Sequence, residues 1–215
     1  MVLLSPSVKG LRKLLSVCEN YAKSHGLKYN VLKTEMLIFK AGKGPERIPE
    51  VFLDGTAVRV VRQFKYLGHI VTDDRKDDLD MERERRALSV RCNMLARRFS
   101  KCSTEVKGTL FRAYCQCFYT CQLWYRYKRA SFSTIRVQYN DAYRILMKLP
   151  RYCSASSMFA EAGMPDFFAV IRTRISSFWE RLRGSDNSIL QVVGQDLRSP
   201  IIAHWRLMHR DSNRK

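Results

Sequence analysis

No run of apolar residues in this sequence approaches the roughly 20 needed to cross a lipid bilayer, so we expect no membrane partner. A secretory signal is also missing, because Pro6 ends the first apolar run after four residues. Seven cysteines, an odd number without an export signal, predict reduced thiols in the cytoplasm and nucleus. The histidines His204 and His209 have no cysteines at zinc-knuckle spacing, so we predict no metal there.

Acidic residues are scarce, with 20 Asp and Glu against 39 Lys and Arg and a net charge of +19. A chain this basic most often binds a polyanion, and nucleic acid is the usual one. An acidic protein or an anionic membrane surface is the alternative partner. A hydrophobic content of 46% is enough for a folded core, which excludes a disordered basic tail.

The first 74 residues predict one helix followed by short strands. Ser5-Pro6-Ser7 is typical of a helix start, and Gly26 is placed to end that helix. Residues 34–39 and 64–71 each predict one strand. Between them, Asp54-Gly55 predicts the two-residue turn of a β-hairpin with arms 51–53 and 56–58.

The clearest helix of the chain follows, and it is both apolar and basic. Its apolar stripe consists of Met81, Leu88, Cys92, Leu95 and Phe99. The opposite side carries Arg83, Arg86, Arg97 and Lys101. Residues 85–129 contain eleven basic residues and one acidic residue, a concentration that favours binding to phosphates and 2′-hydroxyl groups of a nucleic acid. A merely solvated basic face is the alternative.

Two clusters near this helix could suggest metal sites, and we predict that neither is one. The first is acidic: Asp73, Asp74, Asp77, Asp78 and Asp80. Because it precedes a helix, we interpret it as capping and solvation. The second consists of cysteines 115, 117 and 121 in a buried helix expected from Ser103 or Thr104 to about Tyr125. On a helix the first two point about 200° apart, so core packing is the better interpretation.

Further helices are expected over 133–148 and 154–162, after Pro165, and over the short stretches 189–193 and 201–208. The chain from residue 186 onward is predicted to be a weakly ordered basic segment.

Two short motifs resemble a known family. Gly26-Leu27-x-x-Asn30-x-x-Lys33-Thr34 is similar to motif D, and Phe64-x-Tyr66-Leu67-Gly68 to motif E, of reverse transcriptases from non-LTR retrotransposons. The similarity covers roughly residues 1–125 and extends more loosely to about 185 through the Gly163-Met164-Pro165 break. The resemblance implies an α+β fold: a small β palm remnant over 1–74 (helix, strand, hairpin and primer-grip strand) and a helical thumb over 75–130. A helical extension over 131–185 and the basic segment 186–215 would follow.

The resemblance also implies roles for single residues. Lys33 would approach the phosphates of the incoming nucleotide and is the candidate proton donor to pyrophosphate. Tyr66, Leu67 and Gly68 would form the primer grip, which holds the 3′ end of the primer. A solvated lysine at a strand end and aromatic core residues are the respective alternatives. Asn30 is expected to fix the local turn through its side chain.

The family's metal-binding aspartates lie in motif C, expected immediately before Met1-Val2-Leu3-Leu4-Ser5, and in motif A further upstream. Neither is in this sequence, and catalysis by two metal ions needs both. The resemblance therefore implies a carboxy-terminal piece of an RNA-directed DNA polymerase that binds RNA template and DNA primer. It would be inactive alone, with no cofactor of its own and Mg²⁺ only in the complete polymerase. The missing amino-terminal part would be a further partner. The alternatives are a non-catalytic basic RNA or RNA–DNA binding remnant, and a helical interaction protein for an acidic partner.

Overall fold

The computed structural model describes residues 1–40 and 47–210 and consists of two compact units, Met1–Arg75 and Lys76–Lys215. About 58% of the described residues are helical and 9% are in strands, arranged in small sheets. This composition confirms the predicted α+β class. The finer divisions at 130/131 and 185/186 stay predictions, and residues 211–215 of the last segment lie outside the described residues.

The first unit begins with helix α1, Val8–Ser24. The Ser7 side chain accepts a hydrogen bond from the backbone N–H of Gly10 at 3.1 Å, which confirms the predicted helix start. Gly26 lies just beyond the helix with a φ of 64°, a conformation that glycine adopts at little cost. Leu15 and Ala22 are the buried residues of this helix.

Six short strands follow in the described part of this unit: β1 Glu35–Leu37, β2 Phe52–Leu53, β3 Thr56–Ala57, β4 Arg59–Val61, β5 Gln63–Tyr66 and β6 His69–Thr72. They form three two-stranded sheets, of which β1–β4 is parallel and β2–β3 and β5–β6 are antiparallel. The predicted hairpin at Asp54-Gly55 is confirmed, with φ of 48° and 73° at the two turn residues. A small core joins the helix to the strands and consists of Leu15, Val51, Leu53 and Val58.

The predicted single strand over 64–71 is wrong. Leu67 and Gly68 both have positive φ, 46° and 89°, so the chain reverses there and forms the β5–β6 hairpin. The predicted strand over 34–39 is also shorter than expected, because its pairing with β4 covers only three residues.

The second unit is helical: α2 Asp78–Arg98, α3 Thr104–Cys115, α4 Arg129–Met147, α5 Ala155–Glu161, α6 Phe167–Arg183, α7 Ser188–Gln195 and α8 Pro200–Arg210. Helices α2 and α4 run side by side in the same direction. At their beginnings the Lys128 backbone N–H donates to the Asp78 carboxylate at 3.0 Å, and further along the Cys92 thiol lies 3.2 Å from the carbonyl oxygen of Ala142. The C-terminal ends of α2 and α4 therefore lie at the same end of this unit.

The core of the second unit is continuous and rich in aromatic rings. The Tyr139 ring packs against the rings of Phe111, Phe118 and Phe159 at centroid distances of 5.2–5.6 Å. The predicted stripe of α2 is confirmed, since Met81, Leu88, Cys92 and Leu95 are buried, with Phe99 packed at the edge. Helix α8 also reaches this core through Ile202 and Trp205, and both predicted short helices of the last segment are present.

The predicted helix from 103 to about 125 ends early, at Cys115. Thr120 then adopts a left-handed φ of 63°, and the backbone N–H groups of Tyr125 and Arg126 donate to the Asp77 carboxylate instead of to helical carbonyls. The helical angle between the cysteines therefore does not apply. Cysteines 115 and 121 are buried, whereas Cys117 is half-buried.

Helix α4 begins at Arg129, four residues before the predicted start at 133, and ends at Met147 as expected within one residue. Across the two described ranges of the chain, no helix combines the length and the apolar character needed to cross a membrane.

Candidate nucleic-acid interface

The first turns of α2 carry a buried acidic cluster that organises the surface of this helix. The Asp80 side chain has no exposed surface and accepts hydrogen bonds from Trp124 Nε1 at 2.8 Å and Arg83 Nε at 2.7 Å. Asp77 is also buried and accepts two backbone N–H groups, at 2.9 and 2.7 Å, from the segment that leads into α4. The expectation that these aspartates only cap and solvate is wrong, because they join α2 to the rest of its unit.

Arg83, which the sequence predicts to contact nucleic acid, binds carboxylates of this acidic cluster instead. Its guanidinium lies between Asp80 and Glu84, with N–O distances of 2.7 and 3.0 Å, and its side chain is only 19% exposed. Burial by itself lowers the pKa of Arg83, but the hydrogen bond and charge of Asp80, helped by Glu84, outweigh it and raise that pKa. Glu84 is also bound by Arg91 at 2.6 Å. Arg83 therefore has a structural role and little surface left for a ligand.

Arg86 is paired but accessible. It shares the Glu82 carboxylate with Arg85, at distances of 2.7 and 2.6 Å, yet its side chain remains 73% exposed. The hydrogen bond from Arg85, followed by the one from Arg86, lowers the pKa of Glu82 to about 2. An exposed ion pair of this kind contributes about 0–1 kcal/mol, so a phosphate can compete with Glu82 for Arg86.

The C-terminal end of α2 carries the cations that are open to solvent. Arg97, Arg98 and Lys101 are all exposed, and none forms an ion pair with another residue in the described ranges. Of the four contacts predicted on this helix, Arg97 and Lys101 thus lie on open surface. The row that faces solvent along α2 is Arg86, Val90, Asn93 and Arg97.

Two further cations lie at the same end of the unit, in the turn between α4 and α5. Lys148 follows the last residue of α4, Arg151 lies three residues later, and both are exposed. Because α2 and α4 are parallel, these residues share an end of the bundle with Arg97, Arg98 and Lys101. We call this set of five residues the cationic end.

Sequence reasoning missed Lys148, Arg151 and Arg98, because nothing in the periodicity of α2 or α4 shows that the two helices point the same way. The available signal was the short stretch after the predicted end of α4, where Lys148 and Arg151 lie on either side of Pro150.

In the first unit, the predicted primer-grip residues form the tip of a hairpin. Tyr66 is the last residue of β5, pairs with His69 and is 45% exposed. Leu67 is 73% exposed, and Gly68 takes the positive φ that a two-residue turn requires. The structure therefore brings Tyr66, Leu67 and Gly68 together on one exposed turn.

Lys33 lies at the end of a 3-10 turn, Val31–Lys33, immediately before β1, and its side chain is exposed. The Asn30 side chain accepts a hydrogen bond from the Lys33 backbone N–H at 3.1 Å. This contact confirms the prediction that Asn30 fixes the local turn.

Among the residues that the structure describes, no group of three potential ligands is arranged to hold a metal ion. Burial raises the pKa of Cys92 to about 11 and of Cys115 and Cys121 to about 12. Thiols with such pKa values stay protonated at neutral pH, whereas metal ligation and nucleophilic attack need the thiolate. These side chains act as core residues.

The open cations, the hairpin tip and the turn at Lys33 are thus exposed features of this chain that a ligand can reach. Comparison with known proteins gives no match to a family model, to a curated protein or to a solved structure. The functional interpretation therefore depends on the sequence motifs and on the surface described above.

Proposed function

We propose that this chain is the carboxy-terminal part of a reverse transcriptase of a non-LTR retrotransposon, and that it binds the RNA–DNA template–primer duplex. The motifs at Gly26–Thr34 and Phe64–Gly68 support the family. The observation that carries the binding function is the cationic end, where exposed side chains from α2 and from the turns after α2 and α4 lie at one end of the second unit and form no ion pair with another described residue. In this proposal the second unit contains the thumb and the first unit the palm remnant.

The basic residues of the second unit are not all equally available to a ligand. Three of the eleven basic residues in 85–129, namely Arg85, Arg86 and Arg91, pair with Glu82 and Glu84 immediately upstream. The exposed cations beyond these pairs fall mainly into two groups of three: Arg97, Arg98 and Lys101 at the end of α2, and Arg126, Lys128 and Arg129 at the start of α4. Such a local concentration favours contact with several neighbouring phosphates, each of which releases a counterion.

The solvent-facing row of α2 suits an RNA–DNA duplex. Arg86 and Arg97 are placed to contact phosphates, and Asn93 between them offers both a donor and an acceptor to a 2′-hydroxyl group. This proposal replaces Arg83 with Asn93 in the predicted contact row, because Arg83 is held by Asp80 and Glu84.

The hairpin tip Tyr66-Leu67-Gly68 is the proposed primer contact, and Lys33 the proposed phosphate contact. In the family, the carboxylates that hold Mg²⁺ belong to motifs upstream of motif D. We therefore ascribe template–primer binding to these residues, and we expect no primer extension by this chain with Mg²⁺ alone.

The test measures fluorescence anisotropy of a labelled RNA–DNA hybrid at several salt concentrations. Removing two cations, in Arg97→Ala with Lys101→Ala, should weaken binding and reduce the log–log salt slope by about 2, since each phosphate contact contributes about 0.9. The matched control removes the same charge from exposed positions on α8, in Arg206→Ala with Arg210→Ala. Equal losses in both double variants would show that the binding depends on net charge and not on the cationic end.

A further inference from the structure

The most exposed tyrosine of the chain lies within the cationic end. Tyr152 is 91% exposed, whereas Tyr66 and Tyr114 are 45% and 46% exposed. Its ring makes no aromatic contact, and its hydroxyl no hydrogen bond, with any other residue in 1–40 or 47–210. A tyrosine ring carries a large apolar surface, and at Tyr152 almost all of this surface is available to a ligand.

The turn that carries this ring is held firmly. The Arg144 guanidinium donates through Nε and Nη2 to the carbonyl oxygen of Cys153, at 3.1 and 2.8 Å, and also pairs with Asp141 at 2.8 Å. The Cys153 backbone N–H donates to the carbonyl oxygen of Pro150 at 3.0 Å and closes the turn around Tyr152. The backbone of such a turn loses little conformational freedom on binding a ligand, so only the Tyr152 side chain has to be ordered.

The turn starts at the C-terminal cap of α4, where Lys148 adopts the left-handed backbone conformation. Lys148 has a φ of 58°, and the backbone N–H of Leu149 donates to the carbonyl oxygen of Arg144 at 2.9 Å, as in a Schellman motif. Glycine is the usual residue at this position, because a side chain there is strained. Lys148 and Arg151 both precede Tyr152 in this turn, by four residues and by one residue, and both are exposed.

An exposed ring in the same turn as two exposed cations matches the chemistry of single-stranded nucleic acid. An unpaired base can stack on the ring while neighbouring phosphates contact Lys148 and Arg151. Bases inside a duplex are already stacked and cannot reach the ring. An anionic membrane could also attract this turn, but Pro150 is its one other exposed apolar residue, and Leu149 and Cys153 are half-buried, so the turn offers little area to insert.

We propose that Tyr152 is a stacking platform for an unpaired nucleobase, and that Lys148 and Arg151 bind the adjoining phosphates. This inference rests on the proposed nucleic-acid binding function and deepens it, since it adds a single-stranded segment to the duplex as ligand. The Tyr152 ring, and not only the charge around it, then contributes to affinity.

The experiment compares two probes: a labelled single-stranded RNA of about 12 nucleotides and a blunt-ended RNA–DNA hybrid of the same sequence. Tyr152→Leu keeps apolar bulk but removes the ring, and we expect it to weaken binding of the single strand about tenfold and of the hybrid less than about twofold. Tyr152→Phe should bind both probes like the unaltered chain. Tyr114→Leu, on α3, is the matched control for loss of an exposed tyrosine and should change neither affinity.

The outcomes separate the two proposals. If the unaltered chain binds neither probe, the proposed function fails and this inference fails with it. If it binds both, and Tyr152→Leu leaves the single-strand affinity unchanged or weakens both probes equally, only the stacking platform is refuted. Binding to phosphatidylserine vesicles that Tyr152→Leu abolishes, with RNA affinity unchanged, would assign the turn to a membrane and refute the platform too.

Discussion

Asp80 offers a sharp test of how the second unit is held together. Its carboxylate is fully buried and is shared by Trp124 Nε1, Arg83 and the Thr120 hydroxyl, at 2.7–3.2 Å. The change Asp80→Ala would remove the acceptor for all three groups at once. We expect this single substitution to be among the most destabilising in the chain, although sequence reasoning had placed the residue at a solvated helix start.

The magnitude follows from what the change leaves behind. Removing one partner of a buried ion pair costs about 3–5 kcal/mol, and an orphaned buried N–H such as that of Trp124 costs about 1–3 kcal/mol. The two losses overlap, and Arg83 keeps its ion pair with Glu84 and is 19% exposed, so Glu84 and water relieve part of its charge. We therefore expect the free energy of unfolding to fall by about 3–4 kcal/mol. Asp80→Asn, which retains an oxygen for Trp124, should cost less.

The assay is urea unfolding followed by tryptophan fluorescence. All three tryptophans, Trp124, Trp179 and Trp205, lie in the second unit, so the signal reports that unit alone. Glu82→Ala is the matched control, because Glu82 also pairs with arginines of α2 but is 37% exposed, and it should cost less than about 1 kcal/mol. If Asp80→Ala cost no more than Glu82→Ala, the buried cluster would not stabilise the unit as argued.

Three further predictions test other parts of the structure. Lys148→Gly should raise the melting temperature, because it relieves up to about 1 kcal/mol of strain in the left-handed backbone conformation. The same change should weaken nucleic-acid binding. A fall in both the melting temperature and the affinity would contradict the cap geometry. At about pH 8, iodoacetamide should leave Cys92, Cys115 and Cys121 unmodified in the native chain, as mass spectrometry would show, because their raised pKa values keep them protonated. Amide hydrogens of β1–β6 should exchange before those of α2, because the core of the first unit consists of only four buried residues among those described, whereas that of the second unit is much larger. Slower exchange in the strands would overturn this expectation.

The elements that sequence predicted well are those with strong local signals. Helix α1 has a capping serine and a terminal glycine, α2 has an apolar stripe over five turns, and the Asp54-Gly55 turn has the residues that positive φ requires. Each of these signals acts within a few residues of its own element. Local physical chemistry is therefore sufficient to place these elements without knowledge of the tertiary contacts.

The errors arose where distant residues decide the local structure. The helix expected to reach Tyr125 stops at Cys115, and the backbone beyond it is bound by Asp77, nearly fifty residues away in the chain. The β5–β6 turn was missed for a different reason. Leu67 precedes Gly68, and leucine rarely adopts the left-handed conformation, so the residue pair did not resemble a hairpin turn.

The candidate site shows why a row of arginines is an ambiguous signal. Arg83 and Arg97 fall on the same side of α2 by helical spacing, yet one is buried against two carboxylates and the other is exposed. The difference comes from Asp80 and Glu84, whose carboxylates bind Arg83. Asp80 is itself buried and accepts a hydrogen bond from the Trp124 indole. A basic row therefore predicts unpaired cations only where the helix carries no carboxylates within two turns. By that criterion the unpaired cations of α2 begin beyond Arg91, which Glu84 still binds from seven positions upstream, whereas Arg86 must exchange Glu82 for a ligand.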